Sequence, residues 1–270
     1  DQLEYGYEYF VVGGDSLGTD KPVDVGTYYV VVTLTGGADF DNYYFKDDMI
    51  SFEEEEDHFT VAPKVLTPVW GNLSHTYGSS AGATVSLPDV IPGADAEAVL
   101  SYRVKLGDDA FYEGGIPVNA GSYIVTVTLG NENYCFGGEA GDYDYTAENT
   151  NYVINQAELI LRVKDVTVIY GDEIDVEKYG FDVEGLKYED GKDVLGEENA
   201  SWYRAGVNDG DPYAPGTVVN GEYIVKIVQE FTLANYTVKE IVPGTLTVEQ
   251  RALTVTITAP DQTYTGGRLE

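Results

Sequence analysis

Apolar and polar residues alternate with a period of two along most of this chain, in short runs bounded by glycine, asparagine or aspartate. The runs at 30–34, 124–129 and 224–228 carry Val, Ile or Leu at every second position, the pattern of a strand with one buried face. Each is opened by a glycine with a tyrosine two residues after it: Val25-Gly26-Thr27-Tyr28, Ala120-Gly121-Ser122-Tyr123 and Asn220-Gly221-Glu222-Tyr223. Glycine supplies the backbone freedom of a turn and tyrosine starts a strand, so the motif reads as turn, then strand. An Asn-Tyr pair follows each run, at Asn42-Tyr43, Asn133-Tyr134 and Asn235-Tyr236. Similar alternation predicts further strands over 65–69, 151–154, 159–169, 244–248 and 253–259. Helical blocks of Ala, Leu, Glu and Lys are absent, and room for one short helix is left near 175–179. The expected fold class is all-β.

These elements repeat. Leu66, Leu159 and Leu253 follow related junctions and are spaced 93 and then 94 residues apart. Tyr77-Gly78, Tyr170-Gly171 and Tyr264-Thr265-Gly266 lie eleven residues after those leucines and keep the same spacing. A fixed period of this length marks tandem modules of roughly 90 residues, a size at which a small sandwich can bury a core. The divisions expected are a first module over 1–62 without its first strand, a second over 63–156, a third over 157–249, and the first strand and turn of a following module over 250–270. Junctions of two or three residues predict a semi-rigid array.

A strand ending near Tyr-Gly, a later Gly-x-Tyr turn, an Asn-Tyr pair and a closing Gly-Thr-Leu-Thr-Val together resemble the MBG ("mostly beta, glycine-rich") repeats of bacterial surface proteins and adhesins. The third module carries all four, through Tyr170-Gly171, Gly221-Glu222-Tyr223, Asn235-Tyr236 and Gly244-Thr245-Leu246-Thr247-Val248. The second departs with an insertion over 135–150 and an ending, Asn151-Tyr152-Val153-Ile154, that lacks the Gly-Thr start. The resemblance implies tandem small β-sandwich modules, immunoglobulin-like or β-grasp-like, in an elongated array. It also implies an architectural part of a secreted or wall-attached protein, and it brings no catalytic residues.

Charge narrows the partners. Forty-seven acids against fifteen bases give a formal net charge of −32, which repels phosphate backbones and anionic lipid heads. Neither nucleic-acid binding nor membrane insertion of this segment is expected, and no apolar stretch approaches the length of a spanning helix. Cys135 is the single cysteine, so no disulfide forms within the chain. Disulfide-free secreted modules fit a bacterial or archaeal exterior, and extracellular or cell-surface localisation is expected.

Candidate chemistry is sparse. His58 and His75 lack the further ligands that a zinc site needs, and no Ser-His-Asp set or phosphate loop is present. Calcium takes oxygen ligands from loop carboxylates, and the acid clusters that offer them include Asp47-Asp48 with 53–57, Asp142-Asp144-Glu148 and Asn208-Asp209-Gly210-Asp211. Asp142, Asp144, Asp209 and Asp211 are the calcium candidates, and no other cofactor is expected. An adhesin-type isopeptide crosslink would draw on Lys64 with Asn151 or Asn155, or Lys164 with Asn235. Tyrosines outnumber phenylalanines 23 to 9, a surplus that suits glycan stacking or buried rings with a surface hydroxyl.

The chain therefore reads as a non-enzymatic, extracellular structural repeat segment of a stalk or filament. Its partners are then further copies or neighbouring repeats. Joined tail to head, 253–270 followed by 1–62 spells one short module, so Leu253, Val255 and Ile257 are candidates for a strand donated between copies. The competing reading is an adhesin module for a glycan or host protein.

Overall fold

The computed structural model describes residues 3–37, 41, 43–44, 50–51, 57–105, 115–175, 178–198, 200–206, 213–216, 223–258, 261 and 263. Strands dominate, and the all-β class is borne out: no α-helix occurs among the described residues. Short 3-10 turns stand instead at Lys192–Leu195 and Ala200–Trp202. Of the helix expected near 175–179, residues 176 and 177 lie outside the described residues, and beside them Lys178 N–H closes a turn on Asp175 O at 3.0 Å. The chain divides into two compact units, 1–155 and 156–270.

In the first unit, β1 (Glu4–Val11), β2 (Ser16–Gly18), β3 (Gly26–Gly36), β4 (Ile50–Ser51) and β5 (Phe59–Val61) form one antiparallel sheet around β3. The strands β6 (Lys64–Val65), β7 (Val69–Gly71), β8 (Ser74–Thr76), β9 (Thr84–Ser86), β10 (Ala98–Val104), β11 (Gly121–Leu129), β12 (Tyr134–Cys135), β13 (Gly137–Glu139), β14 (Asp142–Asp144) and β15 (Thr146–Asn155) follow. They make a four-stranded sheet in the order β10-β11-β15-β8 and the pairs β12/β6, β7/β9 and β13/β14.

The second unit holds β16 (Ala157–Val163), β17 (Val166–Ile169), β18 (Phe181–Glu184), β19 (Tyr203–Gly206), β20 (Tyr223–Ile227), β21 (Tyr236–Val242) and β22 (Gly244–Glu249). They form two sheets, β18-β16-β21 and β17-β22-β20-β19. The single strand expected over 159–169 is thus two strands in different sheets. The chain crosses over at Lys164-Asp165, where Asp165 Oδ1 accepts the Thr245 N–H at 2.7 Å. Alternation continues through both strands, so periodicity alone does not mark the break. Leu159, Leu161, Val163, Val166 and Val168 are all buried.

Each recurring motif has a recurring geometry. In the Gly-x-Tyr turns the tyrosine ring folds back over the glycine, and its hydroxyl donates to a carbonyl four residues upstream: Tyr28 to Asp24 O at 2.8 Å and Tyr123 to Asn119 O at 2.7 Å. A Cβ on Gly26 would stand 3.0 Å from the Tyr28 hydroxyl, which is why the position before the strand is glycine. The strand after each turn pairs with the last strand of its repeat in one register: Tyr28 faces Phe59, Tyr123 faces Tyr152, and Tyr223 faces Leu246.

The Tyr-Gly turns recur in the same way. Tyr77 N–H donates to Asn155 O and Tyr170 N–H to Glu249 O, each at 2.8 Å, prolonging the parallel pairs β8/β15 and β17/β22. Gly78 and Gly171 follow with φ of 94° and 87°, the conformation that the third position of a type II turn requires.

The Asn-Tyr pairs join two jobs. The asparagine carbonyl caps the first strand of the repeat, accepting Lys64 N–H at Asn133 and Ala157 N–H at Asn235, both at 2.9 Å. In the second and third pairs the tyrosine is buried and its hydroxyl accepts a loop N–H, Ile91 at Tyr134 and Lys187 at Tyr236, whereas Tyr43 of the first pair is exposed and Asn42 lies outside the described residues. Within the first unit the Asn133 side chain reaches further. Its Oδ1 accepts Val25 N–H at 2.7 Å and its Nδ2 donates to Asp24 Oδ1 at 2.8 Å, so it grips the Gly-x-Tyr turn that precedes β3.

Asn133→Ala removes both grips while leaving the backbone cap. It is expected to lower the stability of the first unit by about 1–3 kcal/mol. Amide exchange should quicken at Val25 and stay slow at Lys64; equal quickening at both would show that the side chain is not the tie.

Candidate interaction surface

Among the described residues the candidate side chains read from the sequence do not gather into one cluster. Asp142 and Asp144 sit on β14, a short exposed strand paired only with β13 among the described residues. Their third partner is engaged elsewhere, since Glu148 holds Arg103 at 3.0 Å. Among the described residues no group of three His, Cys, Asp or Glu side chains is placed to hold a metal ion. Asp209 and Asp211 lie outside the described residues, as do 47–48 and 53–56.

Lys64 is exposed on β6, while the Asn155 amide donates to Ser74 Oγ and His75 O in a different sheet. Cys135 is a free thiol, wholly buried. Trp202 is buried too, edge-on to Phe231 at 5.2 Å between ring centres.

His75 belongs to an aromatic cluster. Its ring lies 5.5 Å from Tyr152, which in turn meets Tyr102 at 5.3 Å and Tyr123 at 6.2 Å. Among the described residues, His75 Nδ1 and the Tyr152 hydroxyl are buried without a hydrogen-bond partner. Burial, reinforced by Tyr102 and Tyr123, pushes the Tyr152 phenol up to about 12, and burial holds the imidazole of His75 below its usual range.

A histidine whose folded pKa is depressed stays neutral in the fold where the unfolded chain takes a proton. Its contribution is therefore neutral above about pH 6.5 and destabilising as pH falls through that value. The His75→Phe variant should gain stability relative to the parent between pH 7.5 and about pH 5.5, measured by urea unfolding of both proteins. A constant difference across that range would remove His75 from the acid response.

Surface hollows lie on both units. One of about 530 Å³ runs beside β21 along Gln229, Phe231 and Lys239, and one of about 510 Å³ lies on the first sheet along Glu8, Phe10, Val31 and Thr33.

The first sheet differs from its counterparts in how its faces are covered. Register makes Val30 and Val32 of β3 equivalent to Val125 and Val127 of β11 and to Val225 and Ile227 of β20. The latter four are buried, whereas Val30 and Val32 are only partly so. Tyr7 is 41% exposed and its equivalent Tyr203 only 9%. Phe59, on the closing strand β5, is 37% exposed against 0% for Tyr152 and 1% for Leu246. Tyr7, Tyr9, Tyr28 and Phe59 form a chain of ring contacts between 5.8 and 6.2 Å along this face. The strand β5 also lacks, among the described residues, the parallel neighbour that β15 has in β8 and β22 has in β17.

The opposite case is the segment after β22. Arg251 donates through Nε to Tyr170 O at 2.7 Å and pairs with Asp172, which fixes the point of departure. Beyond it 252–258 carries no strand pairing, and Leu253, Val255 and Ile257 are 87%, 71% and 87% exposed. Residues 259, 260 and 264–266, including the expected Tyr264 turn, lie outside the described residues. No protein-family model matches this chain, and no curated protein matches it.

Proposed function

We propose that the chain is a non-catalytic structural segment built from tandem β-sandwich repeats, part of an extracellular stalk or filament of a bacterial or archaeal surface. The observation that carries this reading is the threefold recurrence of one pairing register, Tyr28 with Phe59, Tyr123 with Tyr152 and Tyr223 with Leu246. In the second and third repeats the last strand lies parallel to an early one, β15 to β8 and β22 to β17. The MBG-like motifs of the second and third repeats support the same role, because among the described residues they serve turns, caps and core contacts. A surface of net charge −32 keeps such an array soluble and apart from nucleic acid and anionic lipid.

Small-angle scattering on the monomer tests this reading. An elongated particle whose longest dimension grows by a constant increment with each added repeat is the expected result, and a compact globule would overturn it.

A binding role has one observation in its favour. Tyr5, Tyr7 and Tyr44 of the first repeat are exposed aromatic rings, the kind of surface on which sugars stack. Glycan-array hits lost on Tyr44→Ala would move the chain into the adhesin class.

A further inference from the structure

We infer that a hollow at the outer edge of β19, in the second unit, binds a neutral sugar ring. The inference goes beyond the structural reading above and does not rest on it, since the site belongs to one repeat and holds whether or not repeats are strung into an array.

The hollow, of about 230 Å³, is lined by Glu173, Tyr179, Tyr203, Arg204, Ala205 and Tyr213. It is smaller than the roughly 300–1,000 Å³ of a site for a drug-sized ligand, and so suits a single ring. β19 ends the order of its sheet, and hydrogen bonds fix the wall beyond it. Tyr213 N–H donates to Ala205 O and the Tyr213 hydroxyl to Asp172 O, both at 2.7 Å, so this tyrosine is held at both ends. Tyr179 lies flat on Tyr203, with ring centres 4.7 Å and planes 4° apart, and the Tyr203 hydroxyl donates to Glu198. The aromatic wall is therefore built before any ligand arrives.

Two charged side chains of the hollow are spare. Arg103, Arg162 and Arg251 each hold a carboxylate, of Glu148, Glu184 and Asp172. The Arg204 side chain makes no hydrogen bond or ion pair among the described residues, in a chain where acids outnumber bases 47 to 15. Nor does the Glu173 side chain, so opposite charges line one small hollow without meeting. Arg204 offers only donors and Glu173 only acceptors. A pyranose answers both, because its hydroxyls donate and accept, while its C–H face packs on tyrosine rings. An acidic sugar fits less well, since the surrounding charge of −32 repels it.

The test is proton–nitrogen correlation NMR of the full chain, titrated with the methyl α-glycosides of glucose, galactose and mannose. Saturable shifts of the Arg204, Ala205 and Tyr213 amides are expected with at least one of them. The dissociation constant should be on the order of 1–10 mM, as befits a ligand of about a dozen heavy atoms. Arg204→Ala and Glu173→Ala should each weaken binding about fivefold or more. Both should keep the circular dichroism spectrum of the parent, because neither side chain is engaged within the fold. An absence of saturable shifts at these amides with all three glycosides overturns the inference, as does binding that both variants leave unchanged. Tighter binding of methyl α-glucuronide, the glucose ring with a carboxylate, overturns the neutral class. Particle shape, which tests the array, has no bearing on these shifts.

Discussion

Gly244→Ala should lower the stability of the second unit by about 3 kcal/mol, at the upper end of what overpacking costs. A Cβ at this position would stand 2.3 Å from Lys164 O, 2.7 Å from Lys164 C and 2.8 Å from Val163 O. All three atoms are backbone, so no side-chain rotation makes room. The new methyl must push apart β22 and the crossover between β16 and β17, and that crossover is also where Asp165 holds Thr245. The closing Gly-Thr-Leu-Thr-Val motif thus begins with glycine because two stretches of main chain touch there. Calorimetry should show the transition of the second unit moved down and that of the first unit unmoved. An unshifted second transition would mean that the crossover does not press on β22.

Leu159 and Leu253 make the second large test, because one motif residue occurs in two environments. Leu159 is wholly buried, and Leu159→Ala should cost about 2–5 kcal/mol, the transfer of the removed methyl groups plus the cavity they leave. Leu253 is exposed, and at concentrations where copies do not associate Leu253→Ala should change stability by less than about 0.5 kcal/mol. Urea midpoints of the two variants measure the contrast. Comparable losses would show that 252–258 is packed within its own chain.

Much of the strand content was legible because a half-covered sheet imposes a period of two on its residues, as in β3, β11 and β20. The Gly-x-Tyr motifs were legible as turns followed by strands for a local reason, since the ring, the glycine and the accepting carbonyl lie within five residues of one another. Other features depend on distant partners, and local pattern does not encode them. Asn133 reads as part of an Asn-Tyr pair, yet its amide is spent on Asp24 and Val25, more than a hundred residues earlier. The break between β16 and β17 was hidden because both strands keep alternating through it, each with a different sheet to fill. Glu148 looked like a third oxygen donor beside Asp142 and Asp144. Its true partner, Arg103, lies across the sheet on β10. Val30 and Val32 are spelled like their buried counterparts and differ only in what lies over them, so their exposure is not written in their own residues.

The parallel pairing of β17 with β22 has a mechanical consequence. Tension drawn through the second unit enters at β16 and leaves at β22, and pulls β22 along its length past β17. Thr167 against Thr247 and Val168 against Val248 then resist together, as rungs loaded sideways, where a hairpin pulled from its open end would give way one rung at a time. A repeat wired in this manner yields late and all at once, so force along such a chain is borne until a whole repeat lets go.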